Sequence, residues 1–379
     1  MRFLIYTCLI FLLLGTEGFA RTDIPYLEFD TDKTVQVSDV KGLMAAVSQL
    51  KSDTTLLLAP GVYDLGRDGR SLIIDNVSRV AIRGATGNRK DVVIVGQGMA
   101  VKQGSCPIII HINNAQDVLI ADMTLKQAWY HLIQVHGENN AQRPHFYNLH
   151  LFDCGEQFIK SCCGADNGVV EHCLFEFTTH ARWHYTSGID VLQGGDWIVR
   201  NNIFRNIRGP KGQLTQGAVF FWKGSKNTIV ENNEFYECDF GVALGNPAGI
   251  RPDHTGGIVR HNVFFRKGAF GDAAVTLIRA RDFDVSHNIL ISNQTFPWVI
   301  DFRFPESFGK IAYNLTDGKI LSRDGATASL KENITTIKKE WFADFDQGNL
   351  NLTPTAKTFL KSKGFDLQKK PLKKEKNGD

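Results

Sequence analysis

One short phrase recurs through the middle of the chain. Ile198-Val-Arg-Asn-Asn-Ile-Phe204 returns as Ile229-Val-Glu-Asn-Asn-Glu-Phe235 and again as Ile258-Val-Arg-His-Asn-Val-Phe264. Fainter copies follow at Val285-Ser-His-Asn288 and Ala312-Tyr-Asn314. The second Asn of each copy marks a register of Asn202, Asn233, Asn262, Asn288 and Asn314, with steps of 31, 29, 26 and 26 residues. A period of this length belongs to stacked units that cannot bury their apolar side alone. Apolar and polar residues alternate inside each copy, so each is a strand. A strand, an Asn at its bend and a second apolar strand describe one turn of a parallel β-helix. Stacked Asn side chains can pass amide N–H to carbonyl along the axis and so satisfy polar groups buried in the coil.

Earlier segments fit the same frame, with the ladder position filled by Met123, Leu149 and Cys173. A further strand in each coil forms another stack: His131 to Val135, Phe158 to Ser161, Ile189 to Leu192, Ala218 to Phe221, Val242 to Gly245, Val275 to Ile278 and Val299 to Phe302. Ahead of the coils, Val40, Leu43, Met44, Val47 and Leu50 recur at helical spacing and precede Thr54 to Tyr63, a strand ending in Pro-Gly. A helix there caps a solenoid end that would otherwise expose apolar surface and strand edge. From Leu360 onward the sequence reads as a polar tail, Lys-rich over Asp366 to Asp379.

Met1 to Ala20 has the form of a secretory signal, with Arg2, an apolar run from Leu4 to Leu14 and a small-residue site at Gly18-Phe-Ala20. The expected protein is therefore secreted or periplasmic, with a β-helix domain over 21–365 and no membrane-spanning segment left after signal removal. The formal charge is +3, of which the tail supplies +2. A nearly neutral body excludes a broad nucleic-acid footprint, and a monomer is expected. Six Cys follow the signal, at 106, 154, 162, 163, 173 and 238, with no zinc-site spacing. Cys173 and Cys154 fall in packing columns of the coil, and the adjacent Cys162 and Cys163 read as structural thiols.

The capping helix, the Ala59-Pro-Gly-Val-Tyr63 opening, the Asn-Asn-x-Phe coils and the export signal together resemble the pectin-lyase-like right-handed parallel β-helix superfamily. The resemblance covers roughly Val35 to Leu360. It implies an all-β solenoid, a single-stranded right-handed parallel β-helix with an N-terminal capping helix. The superfamily includes polysaccharide lyases, hydrolases, epimerases and members with no assigned activity. No motif carries the catalytic residues of any one of them onto this sequence.

Chemistry is expected where residues leave the coil as loops on a rigid scaffold. The largest excursions are Thr178 to Ser187, Arg208 to Gln216 and Asn246 to Gly256. The first carries His180, Arg182, Trp183, His184 and Tyr185, with Asp190 just after it. Aligning Phe158 with Ile189 sets Lys160 beside Val191, one residue from Asp190, on coils about 4.8 Å apart. Elimination on a uronic-acid polymer needs a cation at the carboxylate, a base for the C5 proton and an acid for the leaving oxygen. Lys160, Arg182, His184, Tyr185 and Asp190 are the candidate catalytic residues, with a structural Lys160–Asp190 ion pair as the competing reading. Trp222 offers a stacking face for sugar, and Lys223, Arg279 and Arg303 continue a basic track, with Arg279 and Arg303 placed in the Trp222 column. The groove is expected over the Ile189 and Ala218 strands, walled by the first excursion.

A hydrolase would need two carboxyl groups roughly 5–9.5 Å apart. Asp190 and Asp301 lie four coils apart, too far to act together, and Asp239, Asp253 or Glu156 are the other available partners. No cofactor is expected. Calcium is not indicated by a motif, although Asp253 and Asp272 could contribute oxygens. The leading expectation is a polysaccharide-active protein, a lyase or epimerase for acidic, uronate-containing chains. The other is a non-catalytic carbohydrate-binding or surface protein using the same groove.

Overall fold

The computed structural model describes residues 24–268, 271–346 and 348–366. The signal segment and residues 367–379 of the Lys-rich tail lie outside the described residues. The chain winds into coils whose strands stack in three parallel sheets of 14, 10 and 10 strands. In one coil, Ile198–Arg200 lies in the first sheet, Ile203–Arg205 in the second and Val219–Trp222 in the third. The third sheet runs in strict sequence order from Leu72–Asp75 to Ile320–Arg323. The architecture is the expected parallel β-helix.

The bend between the first two sheets explains the Asn-Asn phrase. Its first residue takes a left-handed backbone in coil after coil, as at Asn148, His172, Asn201, Asn232, His261, His287 and Tyr313. Asn accepts that conformation at low cost. Where His and Tyr occupy it, their rings stack outside the coil, His261 on His287 at 5.3 Å and His287 on Tyr313 at 5.1 Å. The second residue points inward. Asn202, Asn233, Asn262, Asn288 and Asn314 each donate from the side-chain amide to the next Asn side-chain oxygen, at 2.9–3.1 Å. That oxygen also accepts the preceding backbone N–H. Asn333 closes the ladder after a step of only 19 residues, which hid it from a period of 26–31. Cys173 heads it. Its Sγ accepts from Leu149 N at 3.4 Å and donates to the Phe146 carbonyl at 3.6 Å, while its own N–H donates to Asn202 Oδ1.

Two residues beyond each ladder position, Phe175, Phe204, Phe235 and Phe264 stack face to face at 4.5–4.8 Å. These rings, with Val170, Val199, Val230 and Val259, are at most 3 % exposed and fill the coil. The six Cys among the described residues are free thiols, and the Cys162 and Cys163 sulfurs are 3.8 Å apart.

Helix Val40–Ser48 covers the first coil, its N-cap Asp39 accepting from Gly42 N and its Leu43 and Val47 buried. The far end departs from the expected polar tail. An antiparallel pair, Phe342–Asp344 with Asn349–Leu352, leads into helix Pro354–Ser362, and Leu360 and Phe365 are buried against Leu315. Leu360 and Phe365 are spaced to meet one apolar patch on the second sheet. The polar residues around them face solvent and dominate the composition.

Candidate functional site

Side chains alternate along the third sheet, so Ile159 and Ser161 face the core while Lys160 between them faces out. The same alternation turns Asp190, Phe220, Ala243, Thr276 and Asp301 outward in one column. The register differs by one residue from expectation. Ile159, not Phe158, pairs with Ile189, so Lys160 lies directly opposite Asp190. Phe158 and Ile159 are both apolar and both buried, so hydrophobicity alone does not choose between them; the outward position of Lys160 does.

An outward ion pair would ordinarily be wet. Here the Thr178 to Ser187 excursion folds down on it, leaving Lys160 7 % and Asp190 0 % exposed. Lys160 Nζ lies 2.5 Å from Asp190 Oδ2 and donates to the Tyr185 hydroxyl at 3.0 Å. Trp222 Nε1 donates to Asp190 Oδ1 at 2.8 Å. One chain of contacts thus runs Trp222–Asp190–Lys160–Tyr185. Burial opposes charge on Lys160, but Asp190 and Tyr185 outweigh it and hold the ammonium protonated, above its ordinary range. The Trp222 ring lies flat on Phe220, 5.3 Å away, and is half-buried rather than an open stacking platform.

Around this chain gather groups from other coils. The Arg182 guanidinium sits over the Trp129 ring at 3.6 Å and donates to the Trp129 carbonyl. Glu156, 3.9 Å from His131 Nε2, has its carboxyl pushed up by burial, against the pull of Arg182 and Lys160. His131 is held neutral, its pKa pushed down to about 3 by burial and by Lys160. Buried polar atoms without a partner among the described residues concentrate here: His131 Nδ1, both ends of the Gln157 amide and Arg182 Nε. Trp183 and Tyr130 are exposed nearby in sequence, at 44 % and 38 %, and His184 is exposed. The sequence offered Glu156 as one of several carboxylates and His131 as the start of a strand; their approach across coils has no sequence signal.

The basic track divides. Lys223 is exposed in a left-handed turn at the strand end. Arg279 is one residue beyond the Trp222 column, because Ile278 is the residue that pairs with Arg303. It is 7 % exposed, donates to the Pro247 carbonyl, pairs with Glu306 at 3.1 Å and covers the Phe304 ring. Arg279 therefore braces a loop and does not face a sugar. Arg303 does face outward, paired with Asp324 at 2.7 Å.

The open groove lies further along than the Ile189 strand. A cavity of about 260 Å³ opens over Phe220, Ala243, Thr276 and Asp301, with Thr215 from the second excursion and Pro247 from the third at its edges. The first excursion does not wall it; it closes over Lys160 instead. Of the carboxylates proposed as hydrolase partners, Asp239 is bound to Arg266 and accepts from Gly209 N. Asp253 is fully buried and accepts from Ile250 N. Asp301 is forked by Arg323 at 2.8 and 2.5 Å.

Comparison with known proteins agrees with this architecture. The sequence pattern of the right-handed β-helix region matches residues 108–304, just over half of the chain. The chain belongs to the right-handed β-helix family. No curated protein matches the sequence of this β-helix protein. Among solved structures it is similar to an alginate lyase from Paenibacillus sp. str. FPU-7, with TM-score 0.58 and 14% identity over 79% of this chain and 98% of that one. It is also similar to a mannuronic acid specific polysaccharide family 6 lyase from human gut microbiota, with TM-score 0.50 and 12% identity over 81% and 83% of the two chains. The tailspike protein of E. coli bacteriophage HK620, solved with a pentasaccharide, matches with TM-score 0.54 and 12% identity over 75% of this chain and 54% of the tailspike. At these identities the likeness is one of fold. Among the described residues, no helix is long and apolar enough to cross a membrane.

Proposed function

We propose that this β-helix protein acts on an acidic, uronate-containing polysaccharide as a lyase or epimerase, with the reaction at the Lys160 cluster. The observation that carries the reading is the Trp222–Asp190–Lys160–Tyr185 chain of contacts beneath a loop that also brings Arg182 and His184. Structural neighbours named as lyases and a saccharide-bound tailspike make polysaccharide the natural ligand class.

The roles shift from those suggested by residue type. A lysine held protonated by Asp190 does not take a proton. Its ammonium instead donates to the Tyr185 oxygen, where it would favour the phenolate once the phenolic proton has passed to solvent; the phenolate then takes the C5 proton and becomes a neutral phenol. Arg182 supplies the cation for the uronate carboxylate, which stabilises the carbanion. His184 then protonates the C4 oxygen as the C4–O bond breaks and the C4–C5 double bond forms. Returning a proton to the opposite face of C5 instead gives epimerisation. Asp190 and Trp222 act as positioning residues.

The test is ultraviolet absorbance of unsaturated ends, and proton exchange at C5, on a panel of uronate polymers. Wild type is expected to give one or the other, and Tyr185→Phe to lose it by two or more orders of magnitude while still binding polymer. Full turnover in Tyr185→Phe refutes the assignment. The closure of the loop over Lys160 favours a second reading, a carbohydrate-binding protein without turnover. Binding with neither signal across the panel would select it. We propose also that Met1–Ala20 is removed on export; a secreted protein whose N-terminus is Met1 overturns this.

A further inference from the structure

The groove beyond Phe220 differs in chemistry from the Lys160 cluster upstream. Its floor is the same outward column, Phe220, Ala243, Thr276 and Asp301, on successive strands. Asp301 is four coils from Asp190, about 19 Å at the coil spacing, so one extended sugar chain along the sheet would cover both. In the groove, charge is largely cancelled: Arg323 forks Asp301 and Arg303 pairs with Asp324. What remains is Asp272, whose carboxyl makes no hydrogen bond or ion pair among the described residues. Burial, and then Asp301, push it above the ordinary carboxylate range, against the pull of Arg323 and Arg303. Thr276 is 5 % exposed and lines the cavity, yet its hydroxyl has no partner among the described residues. A buried hydroxyl without a partner costs about 1–3 kcal/mol, and a ligand hydroxyl placed in the cavity would relieve that.

We propose that this groove is a subsite for an uncharged sugar residue, held by Asp272 and Thr276 through its hydroxyls and by the Phe220, Ala243 and Ile278 side chains through its apolar face. An excess carboxyl repels a uronate there, whereas pyranose hydroxyls suit an acceptor and a hydroxyl above an apolar floor. Taken with the reading of the Lys160 cluster, on which this part rests, the substrate is a heteropolysaccharide in which uronates alternate with neutral sugars. A homopolymer of uronate would fill only the upstream part.

The test is isothermal titration of the mature chain with short neutral gluco-, manno- and galacto-oligosaccharides, with oligogalacturonate and oligoalginate, and with calcium ion. At least one neutral oligosaccharide is expected to bind. Asp272→Ala should weaken it about tenfold or more and Thr276→Val severalfold, neither with a lowered melting temperature. No binding across the neutral panel overturns the proposal. So does oligouronate binding that responds to Asp272→Ala, or calcium binding that disappears in that variant. Because neutral-sugar affinity is read without turnover, a failed elimination assay leaves this result standing on its own.

Discussion

Replacing Asn233 by Leu removes one rung from the middle of the ladder, and the structure says what each lost bond leaves behind. The Asn233 amide donates to Asn262 Oδ1 at 3.0 Å and to the Val199 carbonyl at 2.9 Å. Its oxygen accepts from Asn202 N at 2.9 Å and Asn202 Nδ2 at 3.0 Å. Asn262 Oδ1 keeps the backbone N–H of residue 233, so it is not orphaned. Two groups are: the Asn202 N–H and one of its side-chain amide hydrogens, while the Val199 carbonyl keeps the sheet bond from the Glu231 N–H. Both lie inside the coil, where Asn202 is 1 % exposed. At about 1–3 kcal/mol each the loss is roughly 2–6 kcal/mol. Burial of the leucine side chain offsets about 1.5–3 kcal/mol of that, so at mid-range a net loss of about 2 kcal/mol is expected. Urea melting of the mature chain measures it, with hydrogen exchange at the Asn202 amide as a local readout, because a solenoid need not unfold in one step. A midpoint equal to that of the wild type, with the Asn202 amide still protected, would refute the reasoning.

Cys173→Asn should be neutral or stabilising in the same melt, because its Sγ already occupies both amide positions with longer bonds to Leu149 N and the Phe146 carbonyl; a loss above about 2 kcal/mol would show that the slot is too small for an amide. Trp222→Ala should lower the melting temperature as well as any sugar affinity, since it strips Asp190 Oδ1 of its N–H donor in a buried site; a pure affinity loss at unchanged stability would contradict the geometry. His254, fully enclosed and bonded to Thr228 Oγ1, has its pKa pushed down to about 3 by burial. The unfolded chain binds that proton near pH 6.5, so the contribution of His254 is complete above 6.5 and is lost as pH falls toward 3, at up to roughly 1.4 kcal/mol per pH unit. His254→Gln should therefore show a shallower acid slope than wild type between pH 6.5 and 4.5; an identical slope refutes the neutral buried state.

What the sequence determined by itself is everything that repeats. The Asn-Asn-x-Phe phrase encodes a left-handed bend, an inward amide and a stacked ring, each a local conformational preference reinforced by an identical neighbour one coil away. The coil and its ladder from Asn202 to Asn314 followed from that pattern, and the capping helix at Val40–Ser48 from apolar residues at helical spacing, whereas the register that sets Lys160 opposite Asp190 did not. Tertiary structure decided what does not repeat. The fall of the Thr178 to Ser187 loop onto Lys160, the approach of Glu156 and His131, and the bracing of Arg279 by Glu306 depend on side chains distant in sequence. The same holds for the neutralisation of Asp301 by Arg323, which left Asp272 as the spare carboxyl of the open groove. Asn333 marks the boundary between the two: the same residue in the same role, reached by a shortened last coil that only the stacking of the chain on itself reveals. Periodic alternation specifies a backbone because each copy meets the same neighbours. A loop or an ion pair has no second copy, and its geometry is set by the shape left over once the coils have stacked.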